Sequence, residues 1–298
     1  MNLNIQKSYH DAGEQRGKLY LVGTPIGNLE DMTYRAVRVL REVQWIAAED
    51  TRQTRKLLTH FDIATRMVSY HEHNKHASGP ELVRLMQAGD SIALVSDAGL
   101  PAICDPGADL VRLAIDAEID VIPVPGANAA LSALIMSGLP TERFTFVGFL
   151  PRDKKPLEKE LKALKREPGT VLCYESPHRL VKTLTAMSEI LGEDHEICLI
   201  RELTKKYEEA VRGTIRECLA HLDEHPPQGE YCLVIRGSNG ESSAESDDDA
   251  AWWTGLTPQE HVARYEAEGF AHKEALRRAA QDRGVPKREL YNLLHQGN

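Results

Sequence analysis

Two apolar runs that each end in a loop of small residues constrain the fold of this chain more than any other feature. The run 91–96 (SIALVS) leads into the loop 97–101 (DAGLP), and the run 120–124 (DVIPV) leads into the loop 125–128 (PGAN). Short apolar runs bounded by turn residues, with a helical pattern between them, predict buried parallel strands. Ligands of such sheets bind beyond the carboxyl ends of the strands, so we expect a small molecule at these loops.

The same alternation of strand and helix patterns continues through the first half of the chain. Strands are predicted at 18–22, 45–48, 67–70, 91–96 and 120–124. The helices between them include one at 80–86, which starts at Pro80. This pattern predicts a parallel sheet with helices on both faces. We place the end of this N-terminal α/β domain, 18–139, at the turn Gly138-Leu139-Pro140.

Strands in the next part of the chain are closer together, with fewer helices between them, which predicts a mixed sheet. These strands are expected at 144–149, 170–174, 196–200, 210–211 and 231–235, in a C-terminal α/β domain spanning 140–237. A length of 298 residues with 42% hydrophobic residues is sufficient for two cores. The apolar stretch 127–139 is too short to cross a bilayer, and 1–17 is too polar for a secretory signal. We therefore expect a cytoplasmic protein with no membrane partner.

The remaining segments differ in composition from the α/β domains. Residues 1–17 are predicted to be a disordered tail, and 238–255, which contain five acidic residues among serines, an acidic linker. Residues 256–298 predict a basic helical module resembling a helix-turn-helix. Its segment 270–298 carries six Lys or Arg against three acids, although the whole chain has a net charge of −9. The cations expected on its outer surface are Arg277, Arg278, Arg283, Lys287 and Arg288.

Several common functional classes lack their signatures here. The five cysteines are scattered singly, which fits neither a disulfide framework nor a zinc site, and we expect no metal. No glycine-rich dinucleotide fingerprint follows a strand, and no phosphate loop with its lysine is present. The two most frequent nucleotide-binding motifs therefore do not explain the small-residue loops.

Eight short motifs, taken together, resemble one known family. They are VGTPIGNLED (22–31), AAEDTR (47–52), HEHN (71–74), SDAGLP and DPG (within 96–107), PGANA (125–129), YESPHR (174–179) and RELTK (201–205). The set is similar to the tetrapyrrole-methylase-like S-adenosylmethionine (SAM) methyltransferases, and within them to a branch that methylates ribosomal RNA. The resemblance covers residues 18 to about 237. Leu100 stands where the family often has Thr, so we give its side chain no role.

The resemblance implies a fold, a cofactor, a partner and a reaction. The fold is α/β, in the two-domain tetrapyrrole-methylase-like (class III SAM methyltransferase) arrangement, here with a small C-terminal helical module. The cofactor is SAM, held between the domains of a protein that is usually a homodimer. The reaction is methylation of the ribose 2′-hydroxyl of a cytidine in 16S ribosomal RNA, so the expected partner is that RNA or the small ribosomal subunit.

The small-residue loops supply most of the expected cofactor contacts. Glycine and alanine at these positions allow backbone groups to approach a ligand closely. Asp97 suits a cationic or hydroxyl-bearing part of SAM, although it could instead cap the next turn. Glu175, like Glu202, could accept hydrogen bonds from SAM, or could form helix caps and ion pairs with Arg179 and Lys205. The expected cofactor-binding residues are Ser96, Asp97, Ala98, Gly99, Pro101, Pro125, Gly126, Ala127, Asn128, Tyr174, Glu175 and Leu203.

Candidates for handling the proton of the ribose hydroxyl follow two other strands of the first sheet. A carboxylate or histidine facing the cleft could perform this step, and the candidates are Glu49, Asp50 and His73, with His71 beside them. The alternative is that 49–52 forms a helix cap with a local ion pair and that the histidines are surface residues. The expected substrate-binding residues are Pro25, Asn28, Arg52, Asn74, Arg278, Lys287 and Arg288.

Two other functions remain open on the sequence. The chain could methylate a tetrapyrrole or a protein, as other branches of the fold do, or it could bind SAM without catalysis as a ribosome-assembly factor. Those other branches have a different, glycine-rich first loop in place of residues 24–28 and lack the basic C-terminal segment. Both differences favour RNA as the substrate.

Overall fold

The first sheet of the computed structural model is entirely parallel, as the strand and helix alternation predicts. The structure describes Gln6, residues 16–238, Trp253 and residues 255–295. The strands of this sheet are β1 (Leu19–Val22), β2 (Trp45–Ala48), β3 (Arg66–Ser69), β4 (Ile92–Val95) and β5 (Val121–Val124). Their order is β3-β2-β4-β1-β5. The two strands singled out by sequence, β4 and β5, therefore flank β1, and the loops after all three lie at one edge of the sheet.

Helices cover both faces of this sheet. They are α1 (Tyr34–Glu42), α2 (Thr51–His60), α3 (Lys75–Gln87) and α4 (Gly107–Asp116). Leu40 and Leu58, from α1 and α2, belong to one buried cluster, and Leu82 and Leu110, from α3 and α4, to another. The two clusters lie on opposite faces because neighbouring strand residues point to opposite sides of a sheet.

One helix boundary in this lobe was predicted wrongly. The sequence places a helix at 80–86 because proline is favoured at a helix start, but α3 begins at Lys75 and contains Pro80. The start is organised by Asn74, whose side-chain oxygen accepts a hydrogen bond from the His71 N–H at 2.8 Å. Gly79 precedes the proline and is buried, and a Cβ added there would lie 2.8 Å from the Leu113 side chain.

The second sheet is mixed, as predicted. Its strands are β6 (Phe144–Phe149), β7 (Thr170–Glu175), β8 (Glu196–Arg201), β9 (Glu209–Thr214) and β10 (Tyr231–Ile235), in the order β6-β7-β10-β8-β9. β6 and β7 are parallel and the other pairs antiparallel. The helices that accompany it are α5 (Ala129–Ser137), α6 (Lys154–Leu164), α7 (Pro177–Leu191) and α8 (Ile215–Glu224). β9 is longer than the two residues predicted, because its sequence EAVRGT contains only two consecutive aliphatic residues and so gives a weak strand pattern.

Helix α5 joins the two lobes. The chain turns after it at Gly138, whose φ of 82° is the left-handed conformation of a helix C-cap. Its buried residues Ala130, Ala133 and Leu134 nevertheless pack on the second sheet, and the Arg212 guanidinium of β9 donates to the carbonyls of Met136 and Ser137. The domain boundary at 139/140 stays a prediction, and the buried face of α5 contributes to the core of the second lobe.

Trp253 and residues 255–295 belong to a second compact unit. Its helices are α9 (Pro258–Ala267), α10 (His272–Asp282) and α11 (Lys287–His295), and Val262, Leu276 and Leu290 form part of its core. Leu293, on α11, is 43% exposed. Arg283 was wrongly predicted on the outside: its guanidinium donates to His261 Nδ1 at 3.0 Å and lies over the Trp253 ring.

The predicted tail, 1–17, and the predicted linker, 238–255, are described by the structure only in part. The disordered tail and the acidic linker lie largely outside the described residues. Within the tail, the Gln6 side chain pairs with the backbone of Val121, donating at 2.9 Å and accepting at 2.8 Å. No helix among the described residues is long and apolar enough to span a bilayer.

The loops after β1 and β5 touch through two glycines, and this contact predicts a stability effect. A Cβ added at Gly23 would lie 2.8 Å from the Gly126 Cα. We expect Gly23→Ala to lower the free energy of unfolding by about 1–3 kcal/mol, as overpacking does, measured by urea denaturation. Gly255→Ala, where nothing lies within 4 Å of the added atom, is the control and should be close to neutral. Equal stabilities of the two variants would contradict this contact.

Candidate functional site

A cleft of about 490 Å³ lies where the ends of the two sheets face each other. The first lobe lines it with residues that follow β1, β2, β4 and β5, and the second lobe with residues at the ends of β6, β7 and β8 and at the start of β10. β10 runs antiparallel to β7 and β8, so its start lies at the same edge of the sheet. The cleft has the size and the position at strand ends that are typical of small-molecule sites.

Two carboxylates bind the loops after β2 and β4 to each other. The Asp97 Oδ1 accepts a hydrogen bond from the backbone N–H of Asp50 at 3.0 Å, and the backbone N–H of Asp97 hydrogen-bonds the Glu49 carboxylate. Glu49 and Asp97 both line the cleft. Asp97 therefore does not act only as a cap for its own turn, because its side chain reaches across to the neighbouring strand.

A third carboxylate, that of Asp105, lies in the same part of the cleft. Its Oδ1 accepts hydrogen bonds from the backbone N–H groups of Ala102 and Gly107 at 3.0 and 2.7 Å. Its Oδ2 is buried and has no hydrogen-bond partner within the described residues. An unpaired buried acceptor costs free energy, which a donor group on a ligand would recover.

Burial and the charges of neighbouring carboxylates perturb the pKa values of Glu49 and Asp105. Burial, followed by the charges of Asp97 and Asp105, raises the pKa of Glu49 above its ordinary value. Burial also raises the pKa of Asp105, against the opposing effect of its backbone hydrogen bonds. Because like charges close together disfavour ionisation, a positive ligand in the cleft would stabilise all three carboxylates. Raised carboxyl pKa values in a cleft are typical of functional sites.

The loops that line the cleft carry backbone strain. Ala102 and Cys104, after β4, have φ values of 68° and 64°, and Glu202 and Thr204, after β8, have values of 49° and 67°. Left-handed conformations are uncommon for residues other than glycine and concentrate at ligand-binding sites. Both walls of the cleft are therefore built from loops whose conformation the surrounding structure imposes.

The wall from the second lobe combines aromatic rings with charged residues that pair inside the lobe. Phe149, 59% exposed, contacts the Tyr174 ring edge to face with centroids 5.6 Å apart. Glu175 accepts from Thr183 Oγ1 at 2.7 Å and lies 3.3 Å from Arg179. The Lys205 ammonium lies 2.9 Å from Glu202 and 2.6 Å from Glu230. The ion pairs that the sequence left as an alternative for Glu202 and Glu175 are thus present, with Glu175 paired to Arg179.

The predicted cofactor-binding residues are only partly brought together at the cleft. Eight of them line it: Ser96, Asp97, Ala98, Gly99, Asn128, Tyr174, Glu175 and Leu203. The others, Pro101, Pro125, Gly126 and Ala127, are not among its lining residues. Ala127 is adjacent to a lining residue, since a Cβ added at Gly99 would be 3.4 Å from the Ala127 carbonyl oxygen.

Of the predicted catalytic residues, only Glu49 lines the cleft. The Asp50 carboxylate caps α2 by accepting from the Arg52 N–H at 2.8 Å and pairs with the Arg52 guanidinium at 2.9 Å. These Arg52 contacts lower the pKa of Asp50 to about 2. His73 is exposed, with its ring centroid 6.1 Å from that of His71. The helix cap with a local ion pair, left open by the sequence, is what the structure contains at Asp50.

The predicted substrate-binding residues lie outside the cleft. Asn28 caps a short 3-10 helix by accepting from the Glu30 N–H at 3.0 Å, and Pro25 lies in the same loop. The Asn74 amide is used by its own turn, where it donates to the Ser69 carbonyl at 3.0 Å. Arg52 lines a separate groove along α2.

The basic residues of the C-terminal unit are described within that unit alone. The Arg278 guanidinium stacks on the Phe270 ring, 4.1 Å from its centroid. The Lys287 ammonium donates to the Lys273 carbonyl at 3.3 Å, and Arg288 is exposed.

Sequence reasoning missed several residues of the cleft. Phe149 was expected only as the end of a strand, Asp105 only as part of the DPG motif, and Ile103 and Cys104 only as residues between two motifs. Lys205 was expected only as an ion-pair partner of Glu202 within the motif RELTK, and Glu230 carried no signal for a site. The DPG motif was the one signal that could have singled out Asp105, because an aspartate before Pro-Gly often holds a loop through its side chain.

Comparison with known proteins identifies the family. A sequence profile of the Tetrapyrrole (Corrin/Porphyrin) Methylases matches residues 18–219. The chain is 54% identical to a ribosomal RNA small subunit methyltransferase I of Halalkalibacterium halodurans, over 99% of this chain and 100% of that one. It is also 54% identical to the protein of the same name from Bacillus subtilis, over 98% of this chain and 99% of that one.

The fold comparison agrees with the sequence comparison. A crystal structure of uroporphyrin-III C-methyltransferase from Thermus thermophilus, complexed with S-adenyl homocysteine, superposes with a TM-score of 0.52 at 21% identity. It covers 76% of this chain and 100% of that one. The chain therefore belongs to the tetrapyrrole methylase family of SAM-dependent methyltransferases, and within it to the group named ribosomal RNA small subunit methyltransferase I.

Proposed function

We propose that this protein transfers a methyl group from SAM to the ribose 2′-hydroxyl of a cytidine in 16S ribosomal RNA. The observation that carries the proposal is the cleft in which Glu49, Asp97 and Asp105 converge, in a chain similar over its whole length to small-subunit rRNA methyltransferases. Methyl transfer from SAM requires a cationic donor and an acceptor hydroxyl side by side with water excluded. A cleft between two lobes that carries three carboxylates suits both requirements.

The residues of the cleft fit SAM. Three carboxylates suit a ligand that carries a sulfonium and an ammonium group, and the unpaired Asp105 Oδ2 suits a hydroxyl or amino donor. The rings of Phe149 and Tyr174 offer apolar contact for a base. When bound, SAM supplies an electrophilic methyl group on sulfur.

The first lobe would hold the cofactor mainly through its loops. Asp97, with the backbone of Ser96, Ala98 and Gly99, would contact the polar parts of SAM from the β4 side, and Asn128 from the β5 side. Pro101, Pro125, Gly126 and Ala127 would support these loops from behind. From the second lobe, Tyr174, Glu175 and Leu203 would close the other wall, Glu175 through its backbone because its carboxylate is already paired.

Glu49 would act on the acceptor. A carboxylate at the cleft with a raised pKa can receive the proton of the ribose 2′-hydroxyl on one of its carboxylate oxygens. The ribose 2′-oxygen loses this proton as it attacks the methyl group. Asp50 would position Glu49 rather than take the proton, because its oxygens hold the α2 cap and Arg52. We keep His73, Asn74, Pro25 and Asn28 as candidates for contacts with RNA outside the cleft. The remaining work of the protein is to align donor and acceptor and exclude water.

Competing functions are separated by one assay. The full-length protein is incubated with methyl-labelled SAM and either small ribosomal subunits from cells lacking this protein or uroporphyrinogen. We expect label in the ribosomal RNA only. Label in the tetrapyrrole or in ribosomal protein would favour the other branches of the fold, and SAM binding without transfer would favour an assembly factor.

The C-terminal unit would increase affinity for RNA. Arg278, Lys287 and Arg288 belong to a compact unit distinct from the one that contains the cleft. A chain ending at Ser238 should therefore bind SAM with nearly unchanged affinity but bind small ribosomal subunits about tenfold more weakly, because phosphate contacts are lost. Calorimetry with SAM and filter binding of subunits measure the two affinities. Unchanged affinity for subunits would remove this unit from RNA recognition.

The homodimer is part of the same proposal. Light scattering of the full-length protein at micromolar concentration should give twice the chain mass of 33.3 kDa. A mass of one chain would contradict it.

A further inference from the structure

A groove on the outside of α2 is separate from the cleft. It is lined by Thr51, Arg52, Arg55, Lys56 and Thr59, which recur at helical spacing along one face. The helix has the sequence TRQTRKLLTH and contains no acidic residue. The Arg52 side chain is 88% exposed, and Arg55 and Lys56 are also exposed. The groove therefore presents positive charge and hydroxyl groups to solvent.

Helix α1 extends the positive charge of this groove. Arg35, Arg38 and Arg41 are exposed and spaced three residues apart, so they form a stripe along α1. The Arg41 guanidinium donates to the Phe61 carbonyl at the end of α2 at 2.6 Å, which joins the two helices. Residues 33–60 contain six Lys or Arg against three acids in a chain of net charge −9. We call this surface the α1–α2 face.

Much of this charge is not neutralised locally. Arg38 pairs with Glu42 and Arg52 with Asp50. Within the described residues, Arg35 and Arg55 have no acidic partner, and Lys56 bonds only to the neutral Gln53 side chain at 3.1 Å. Exposed ion pairs contribute little to stability, so leaving these cations unpaired costs the fold little and keeps them available to a ligand. Arginine is favoured for phosphate recognition because its planar guanidinium can donate two parallel hydrogen bonds.

The groove begins at the rim of the cleft. The backbone N–H of Asp50, the N-cap of α2, donates a hydrogen bond to the Asp97 carboxylate. Asp97 and Glu49 both line the cleft. The first turn of α2, with Arg52, is therefore only a few residues from the proposed proton acceptor. A polymer whose reacting unit enters the cleft would place neighbouring units along α2.

We propose that the α1–α2 face binds the phosphate backbone of the RNA segment next to the methylated nucleotide, with Arg55 and Lys56 as its central contacts. The inference rests on the proposed function, since it names the surface that delivers that substrate to the cleft. Arginine and lysine on a helix can neutralise phosphates without reading bases. Sequence selection would then depend on the cleft and on the shape of the RNA.

The test compares two double variants of the full-length protein. Arg55→Ala with Lys56→Ala removes two cations from the groove. Lys159→Ala with Lys162→Ala removes two exposed cations from α6, on the second lobe. The two double variants therefore have the same net charge. Binding to a fluorescein-labelled single-stranded RNA and to small ribosomal subunits is measured by anisotropy and filter binding over a series of KCl concentrations.

We expect the groove variant to bind both probes about tenfold more weakly near 0.1 M salt. The slope of log affinity against log salt concentration should decrease by an amount that corresponds to the loss of about one to two phosphate contacts. Its KM for subunits should rise by a similar factor. The α6 variant should behave like the wild type. Melting temperatures of both variants should match the wild type because all four side chains are exposed.

The outcomes separate this proposal from the proposed function. Wild-type affinity and salt slope in the groove variant, with methyl transfer intact, would overturn the α1–α2 face alone. Weaker binding to subunits with unchanged binding to RNA would also overturn it, because the partner would then be a ribosomal protein. If the wild type transferred no methyl group to RNA, the proposed function would fail. The RNA affinities of the groove variant and of the wild type would still decide whether this face binds phosphates.

Discussion

Glu49→Gln should lower kcat for methyl transfer to small ribosomal subunits by about 10²- to 10⁴-fold, the usual contribution of a general base. Glutamine has nearly the shape of glutamate but cannot accept the ribose proton at neutral pH. KM for subunits should change much less than kcat, because Glu49 would act mainly in the transition state. Single-turnover kinetics with saturating SAM measure the chemical step directly.

The control is the neighbouring carboxylate. Asp50→Asn keeps a side-chain oxygen that can cap α2 and should therefore cost far less activity than Glu49→Gln. Asp50, with its pKa lowered to about 2 by Arg52, is a poor proton acceptor. If Asp50→Asn were the more damaging change, or if Glu49→Gln kept wild-type kcat, the assignment of the proton acceptor would be wrong.

The pH dependence adds a second readout for Glu49. A base must be ionised, so kcat should rise with pH through the raised pKa of Glu49, and the glutamine variant should lack this rise. Stability should follow the opposite direction. A carboxyl whose pKa is raised on folding contributes stability at low pH that is lost as pH rises through the folded pKa. Glu49→Gln should therefore be at least as stable as the wild type at pH 7, which thermal melting can show.

Asp97→Ala should weaken SAM binding by about ten- to hundredfold, as expected for a lost hydrogen bond to a charged group. The change removes a negative charge from the cleft and the acceptor for the Asp50 N–H. Calorimetric titration of the full-length protein with SAM gives the affinity directly.

Asp97→Asn separates the two roles of this side chain. Asparagine keeps an oxygen for the Asp50 N–H but has no charge. If attraction between Asp97 and the cationic cofactor dominates, the asparagine variant should bind SAM nearly as weakly as the alanine variant. Wild-type affinity in Asp97→Asn would show that Asp97 serves only to join the loops after β2 and β4.

The sequence could predict the strands and the site loops because both depend on local patterns. β4 and β5 are short apolar runs that end in turn residues, and such runs are buried wherever they occur in a parallel sheet. The family motifs coincide with the loops at the carboxyl ends of these strands. Ser96, Asp97 and Gly99 therefore line the cleft, and their contact with the cofactor stays a prediction.

What the sequence could not predict depends on contacts between distant residues. α5 is apolar on most sides, so its pattern does not indicate which sheet it covers, and its packing on the second sheet is visible only in the fold. Phe149 ends β6, and the pairing of β6 with β7 places Phe149 at the cleft beside Tyr174. The left-handed Ala102 and Cys104 have no glycine signal because the surrounding loop imposes their conformation. Arg283 turned inward because His261 on α9 and Trp253, which precedes that helix, provide partners for its guanidinium.

The measurement that tests the central claim most directly is the chemical identity of the methylated product. Small ribosomal subunits from cells lacking this protein are incubated with the purified full-length chain and labelled SAM, and the RNA is then digested to nucleosides for mass spectrometry. The account predicts label in 2′-O-methylcytidine, in the wild type and not in Glu49→Gln at short times. Label on a base, on another nucleoside or in no RNA at all would contradict it.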